Sequence, residues 1–191
     1  MSRPRKLKVG ILATPDTSAS TLFGFYDVLN TVGLGWEAFV SREESSPRFD
    51  VQIVAENDQP VQCGPAKITP TMTFADSLNL DIVIVASFAI PGLVLRNHSE
   101  IEFEWLHRVN SEGSVIGAFC TASSILAAAE LLNGYDATTY WAYKDVVKLH
   151  YPRVNWQTEK NLCVTGENGN LVTSGGATGW EELALYLVTR F

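Results

Sequence analysis

Four short runs of apolar, mostly β-branched residues punctuate the chain: KLKVGILA (6–13), VQIVA (51–55), DIVIVA (81–86) and SVIGAF (114–119). Each is too short for a core helix, and each is nearly continuous in its hydrophobicity. Such runs mark strands buried on both faces, as parallel strands are. Between them lie segments with helical periodicity. Leu22, Phe25, Tyr26, Leu29 and Val32 fall on one face of a 3.6-residue repeat, which predicts a helix over 18–32 closed by Gly33 and Gly35. Further helices are expected over 99–109, over 121–132 with Asn133-Gly134 as its stop, over 142–150, and from Thr178 onward. Strands and helices alternating at this spacing predict a doubly wound α/β domain. Its sheet is mainly parallel, has helices on both faces, and is joined by right-handed crossovers.

The remaining segments decorate that frame. Residues 36–49, with Glu43-Glu44-Ser45-Ser46-Pro47, read as an exposed connection, and 60–70 read as an edge ribbon. Residues 137–139 read as a short extended piece. Runs 161–164 and 171–174 flank Gly166-Glu167-Asn168-Gly169, a turn signal that predicts a hairpin. At 191 residues, with no repeat and no dividing linker, the chain is expected to form one domain. No apolar run approaches the roughly 18 residues of a membrane span, and no secretory cleavage pattern follows the basic start. The expected location is the cytoplasm, with no membrane partner.

A net charge of −7 argues against direct nucleic-acid binding, which needs clustered Lys and Arg. Cys63, Cys120 and Cys163 are odd in number and lack metal-ligand spacing, so neither a disulfide framework nor a metal site is expected. No cofactor is expected either. The sequence GLGWEA (33–38) mimics part of a dinucleotide fingerprint, but it follows a helix instead of a strand, which removes the phosphate argument.

In an open α/β sheet, ligands gather beyond the carboxyl ends of the strands. Thr14-Pro15, Ser87-Phe88-Ala89 and Cys120 should converge there. Cys120 lies between a strand and a helix in Ala118-Phe119-Cys120-Thr121-Ala122, the layout of a nucleophile elbow. The helix that follows would aim N–H groups at the sulfur and favour thiolate. The competing reading, to which the elbow is preferred, is a small buried hydrophobe, as most free cysteines are. Cys63 and Cys163 are read as structural. A working thiol needs a base or charge partner, yet His98 and His107 are expected to face away and His150 to end a helix. No Cys–His pair is legible.

The last helix carries an apolar stripe, Trp180, Leu183, Ala184, Leu187 and Phe191, with no stop signal after it. The stripe fits either a terminus docked on the sheet or a chain that continues.

The segments GAFCTASS (117–124), AAELLNG (128–134), ATTYW (137–141) and LVTSGGA (171–177) resemble the ThiJ/PfpI family of the class I glutamine amidotransferase-like superfamily. A looser likeness runs through VGILATP (9–15) and GFYDVL (24–29). The resemblance implies a flavodoxin-like sheet over essentially the whole chain. It is nearest to the N-terminal domains of AraC-type transcription regulators, in which a degenerate ThiJ/PfpI domain precedes a helix-turn-helix module. It therefore implies a homodimer, a small-molecule ligand, and DNA contact only through a separate domain in a longer natural chain.

Catalytic relatives carry an acid four positions before a proline in the first helix. Here Phe25 stands at the proline position and Thr21 at the acid position. Many relatives also place a histidine where this chain has Tyr140. Asp27 remains nearby but stands where carboxylates commonly pack or cap. Cys120 is thus retained without its two usual partners, and general acid–base help is typically worth ~10²–10⁴ in rate. The leading expectation is a ligand-sensing and dimerisation domain. A stand-alone cysteine enzyme, a hydrolase or isonitrile-hydratase-like catalyst using Cys120, is the alternative, and a redox sensor a third. Ligand contact is expected from Thr21, Phe88, Thr121 and Tyr140 beside Cys120, with Phe88 narrowing the site and Trp141 in the core or an interface.

Overall fold

The computed structural model describes residues 5–15, 17–35, 39–40, 46–88 and 99–191. Along the chain run β1 (Leu7–Leu12), α1 (Ala19–Thr31), β2 (Phe49–Ala55), β3 (Val61–Cys63), β4 (Ala66–Ile68), β5 (Met72–Thr73) and β6 (Ile82–Val85). They are followed by α2 (Glu100–Ser111), β7 (Val115–Phe119), α3 (Ser123–Ala128), β8 (Asp136–Ala137), α4 (Lys144–His150), β9 (Asn155–Trp156), β10 (Leu162–Thr165), β11 (Leu171–Ser174) and α5 (Gly179–Arg190). Among the described residues the main sheet has seven strands in the order β10-β11-β7-β6-β1-β2-β5. All its neighbours pair in parallel except β10 with β11, the expected hairpin. The inner order β2-β1-β6-β7-β11 is the flavodoxin-like one, with its direction reversing between β1 and β6.

Period-two alternation divides the core between the sheet's two faces. From β6, Ile82 and Ile84 point into a cluster with Leu22, Phe25 and Leu29 of α1 and Leu183 and Leu187 of α5. Val83 and Val85 point the other way, among Trp105 and Leu106 of α2, Ile125 and Leu126 of α3, and Val147 of α4. The stripe on α5 is docked: Leu183, Ala184 and Leu187 are buried, and Trp180 and Phe191 pack at its margins. Where α5 crosses α1, the Trp180 ring lies so close to Gly24 that a Cβ there would sit 2.8 Å from it.

The ribbon expected over 60–70 is the antiparallel pair β3–β4, set apart from the main sheet. The expectation for 121–132 is corrected. Cys120–Ala122 form a 3₁₀ turn, and α3 ends at Ala128. Glu130 is left-handed (φ 58°), with Leu131 N–H donating to Leu126 O and Glu130 N–H to Ala127 O. This Schellman closure stops the helix three residues before the expected Asn133. The 142–150 helix likewise begins as a 3₁₀ turn, Trp141–Tyr143. Most of the 36–49 connection, and Ala89 and His98, lie outside the described residues. No described helix is long and apolar enough to cross a membrane.

Candidate functional site

Three strand ends meet at the carboxyl edge of the sheet around the β1/β6 switch. After β1 the chain makes a tight turn in which Thr14 N–H donates to Thr17 Oγ1 at 3.0 Å. Thr17 then bridges to Phe88 beyond β6 in an isolated antiparallel pair, and Ser18 N–H donates to Ser87 O at 2.7 Å. Beyond β7, the hydroxyl of Thr121 donates to Phe88 O (3.2 Å) and accepts from Phe88 N–H (3.3 Å). The ends of β1, β6 and β7 are thus tied by polar contacts.

Cys120 sits on this edge, half-buried, with φ 58°. A left-handed cysteine is uncommon, because Cβ crowds the backbone there. Ala177, in the loop between β11 and α5, is left-handed as well (φ 57°). The N–H groups of Thr121 and Ala177 and the Thr121 hydroxyl act as donors to the Cys120 sulfur and favour its thiolate. Burial nevertheless dominates and pushes the thiol above its ordinary range, with those donors only partly offsetting it. Among the described residues, no charged side chain contributes to the shift.

The predicted residues divide unevenly. Thr121, next to Cys120, meets Phe88 directly, but Phe88 takes part through its backbone. Its ring, 5% exposed, packs into the core with Leu12, Val85 and Ile125. It therefore does not narrow the site as expected. Thr21 is buried and turned toward the β6 loop, its hydroxyl donating to Ser18 O (3.1 Å) and lying 3.3 Å from Ser87 Oγ. Tyr140 is half-buried with its ring laid over Gly176, where a Cβ would strike it. Trp141, expected in the core or an interface, is 69% exposed, because the 3₁₀ turn it opens carries it outward.

His107 and His150 are exposed on their helices, and Asp27 is exposed on α1. Cys63 is buried beside Thr14 O (3.8 Å), and Cys163 is buried on β10. No group of three or more potential metal-ligating side chains occurs among the described residues.

Sequence reasoning missed two contributors. The Ala177 N–H comes from a loop 57 positions from Cys120, and the sequence held no sign of its aim. Thr139, placed only in an extended piece, donates its hydroxyl to Cys120 O at 2.8 Å. A cleft of about 390 Å³ opens separately at the ends of β1 and β2, between the β3–β4 ribbon and α2. Thr14, Glu56, Gln62, Phe74 and Glu102 line it, and Cys120 does not.

A match to the DJ-1/PfpI family runs from residue 8 to residue 190. The chain belongs to that family. Isonitrile hydratase from Pseudomonas putida is 31% identical to it over 95% of this chain and 70% of that protein. The HTH-type transcriptional regulator GbdR of Pseudomonas aeruginosa is also 31% identical, over 65% of this chain and only 32% of the regulator's length. Among solved structures, one described as a putative transcriptional regulator protein from Vibrio parahaemolyticus superposes with a TM-score of 0.79. It covers 98% of this chain and 93% of that one at 22% identity, a likeness of fold alone. A DJ-1/PfpI domain is therefore shown, and its relatives include both regulators and an enzyme.

Proposed function

We propose that this chain is the ligand-sensing and dimerisation domain of an AraC-type transcription regulator, with DNA contact made by a separate helix-turn-helix domain. The strand-to-helix turn at Cys120 then acts as a recognition point for a small uncharged molecule and not as a nucleophile elbow. What supports this is the company the sulfur keeps. Two N–H groups and the Thr121 hydroxyl act on it, Thr21 stands at the place of the family's acid, and burial favours the protonated thiol. A protonated thiol without a base is a poor nucleophile. It remains a serviceable donor and apolar contact beside the Thr121 hydroxyl.

One observation favours a second reading. The likeness to isonitrile hydratase extends along nearly the whole chain, and Cys120 sits at the strand-to-helix turn with N–H donors aimed at it. The two readings separate by assay. Purified protein is mixed with alkyl isonitriles and formamide formation is followed, while a panel of small neutral metabolites is screened by thermal shift and sedimentation reports the oligomer. The sensing reading expects no turnover above that of Cys120→Ala, a dimer, and a saturable melting shift lost in Thr121→Val. Turnover abolished by Cys120→Ala would overturn it.

A further inference from the structure

The carbonyl of Cys120 is unusually well held. Thr139 Oγ1 donates to it at 2.8 Å, Ser123 Oγ at 3.1 Å, and the Ser123 N–H is shared between it and Thr121 O. Thr139 is the only one of these donors that comes from a different part of the fold. It is 1% exposed, and its neighbour Thr138 is pinned twice, its N–H to Thr173 Oγ1 on β11 (2.8 Å) and its hydroxyl to Lys160 O (2.7 Å). The Thr139 hydroxyl is therefore a fixed post.

A peptide unit is planar and trans, so its C=O and N–H point in opposite directions. The unit whose oxygen is Cys120 O carries the Thr121 N–H. Holding the oxygen toward Thr139 turns that N–H the other way, to the side where the Cys120 sulfur lies. The left-handed backbone of Cys120 is disfavoured for a side-chain-bearing residue.

We infer that Thr139 is a positioning residue for Cys120: its hydroxyl fixes the 120–121 peptide and thereby aims the Thr121 N–H at the sulfur. Thr139 itself touches no ligand in this scheme. Its role goes beyond the reading above, since a sensing thiol and a catalytic thiol would need the same aim. Loss of the hold removes a donor that favours thiolate, in line with the direction in which that N–H acts on the thiol.

The test is alkylation of the full chain by iodoacetamide between pH 6 and 10, with each cysteine followed by mass spectrometry and unfolding measured in parallel. Thr139→Val, nearly isosteric, is expected to slow Cys120 about tenfold at pH 7.5 and to move its rate–pH curve upward, the size of one lost hydrogen bond to a charged group. Thr139→Ser should restore the wild-type curve to within about twofold, since it keeps the donor. Cys63 and Cys163 should stay protected throughout. An unchanged curve in folded Thr139→Val overturns the proposal, as does slowing that Thr139→Ser fails to restore. If Thr139→Val does not fold, Ser123→Ala decides, because it removes the second hydroxyl from the same oxygen. Slower alkylation of Cys120 upholds the peptide-aiming argument, and no change refutes it. None of these outcomes depends on ligand binding or isonitrile turnover, so this proposal and the functional reading fail separately.

Discussion

Adding one methyl group where α1 meets α5 offers a sharp test of how the site's two flanks are joined. Gly24→Ala improves the helix intrinsically, by about 0.8–1.0 kcal/mol. The new Cβ would lie 2.8, 2.9 and 3.3 Å from three atoms of the Trp180 ring, nearer than ordinary carbon contact. That ring is braced edge-on against Phe25, with centroids 5.7 Å apart and planes at 74°, and Phe25 is fully buried. Overpacking of this kind typically costs 1–3 kcal/mol, so a net loss of about 1 kcal/mol is expected. For a chain of this length that is a fall of roughly 2–4 °C in Tm. The decisive measurement is a double-mutant cycle by urea unfolding. In a Trp180→Leu background the obstruction is gone and only the propensity gain remains, so Gly24→Ala should there stabilise by about 0.5–1 kcal/mol. The two sites should couple by about 2 kcal/mol. A Gly24→Ala effect of the same sign in both backgrounds would refute the reasoning. The result bears on function, because α1 carries Thr21 and α5 begins two residues after Ala177.

Burial pushes Cys120, Cys163, Tyr143 and Tyr151 upward, with Tyr151 adding a smaller upward push on Tyr143 and the Thr121 and Ala177 donors partly opposing the rise at Cys120. A raised folded pKa contributes stability that is complete below the unfolded value and is lost as pH climbs through the folded one. Tm should therefore decline from about pH 8.5 upward, where unfolded thiols and then phenols ionise. A variant with Cys120→Ala and Tyr151→Phe should decline less steeply; an identical slope would remove burial as the cause. Separately, Glu130 closes α3 in the left-handed region, and its ion pair with Arg153 (3.7 Å) is about 70% exposed on both sides. Glu130→Gly should relieve roughly 1–2 kcal/mol of backbone strain against about 0.4–1 kcal/mol of added chain entropy. Since the exposed pair is worth little, a net gain of about 0.5–1 kcal/mol in urea unfolding is expected, and a loss would contradict it.

Much of this molecule was readable before folding because it depends on short-range pattern. DIVIVA could only be a strand buried on both faces, the α1 stripe could only face a core, and Gly166 to Gly169 could only turn a hairpin. Those features follow from period and turn chemistry, which are local properties of the chain. Cys120 stood out for the same reason, as the residue between a strand and a helix with small side chains two positions to either side. The expectation that Thr21 and Tyr140 stand in for an acid and a histidine came from the family resemblance and not from local pattern. Glu130 was not legible, since nothing in its side chain announces a left-handed stop, and the closure rests on hydrogen bonds back to Leu126 and Ala127.

Tertiary structure alone decided what surrounds the sulfur. Ala177 and Thr139 reach Cys120 from 57 and 19 positions away, because β7 and β11 lie side by side and Thr138 is bound to β11. It also turned the ring of Phe88 into the core and set Trp141 outside it, because the backbone bridge at Phe88 and the 3₁₀ turn at Trp141 fix where each side chain can go. Sequence thus determined the frame and named the thiol. Whether that thiol is ionised, and which N–H groups it meets, depends on burial and peptide orientation, and both exist only once distant segments have been brought together.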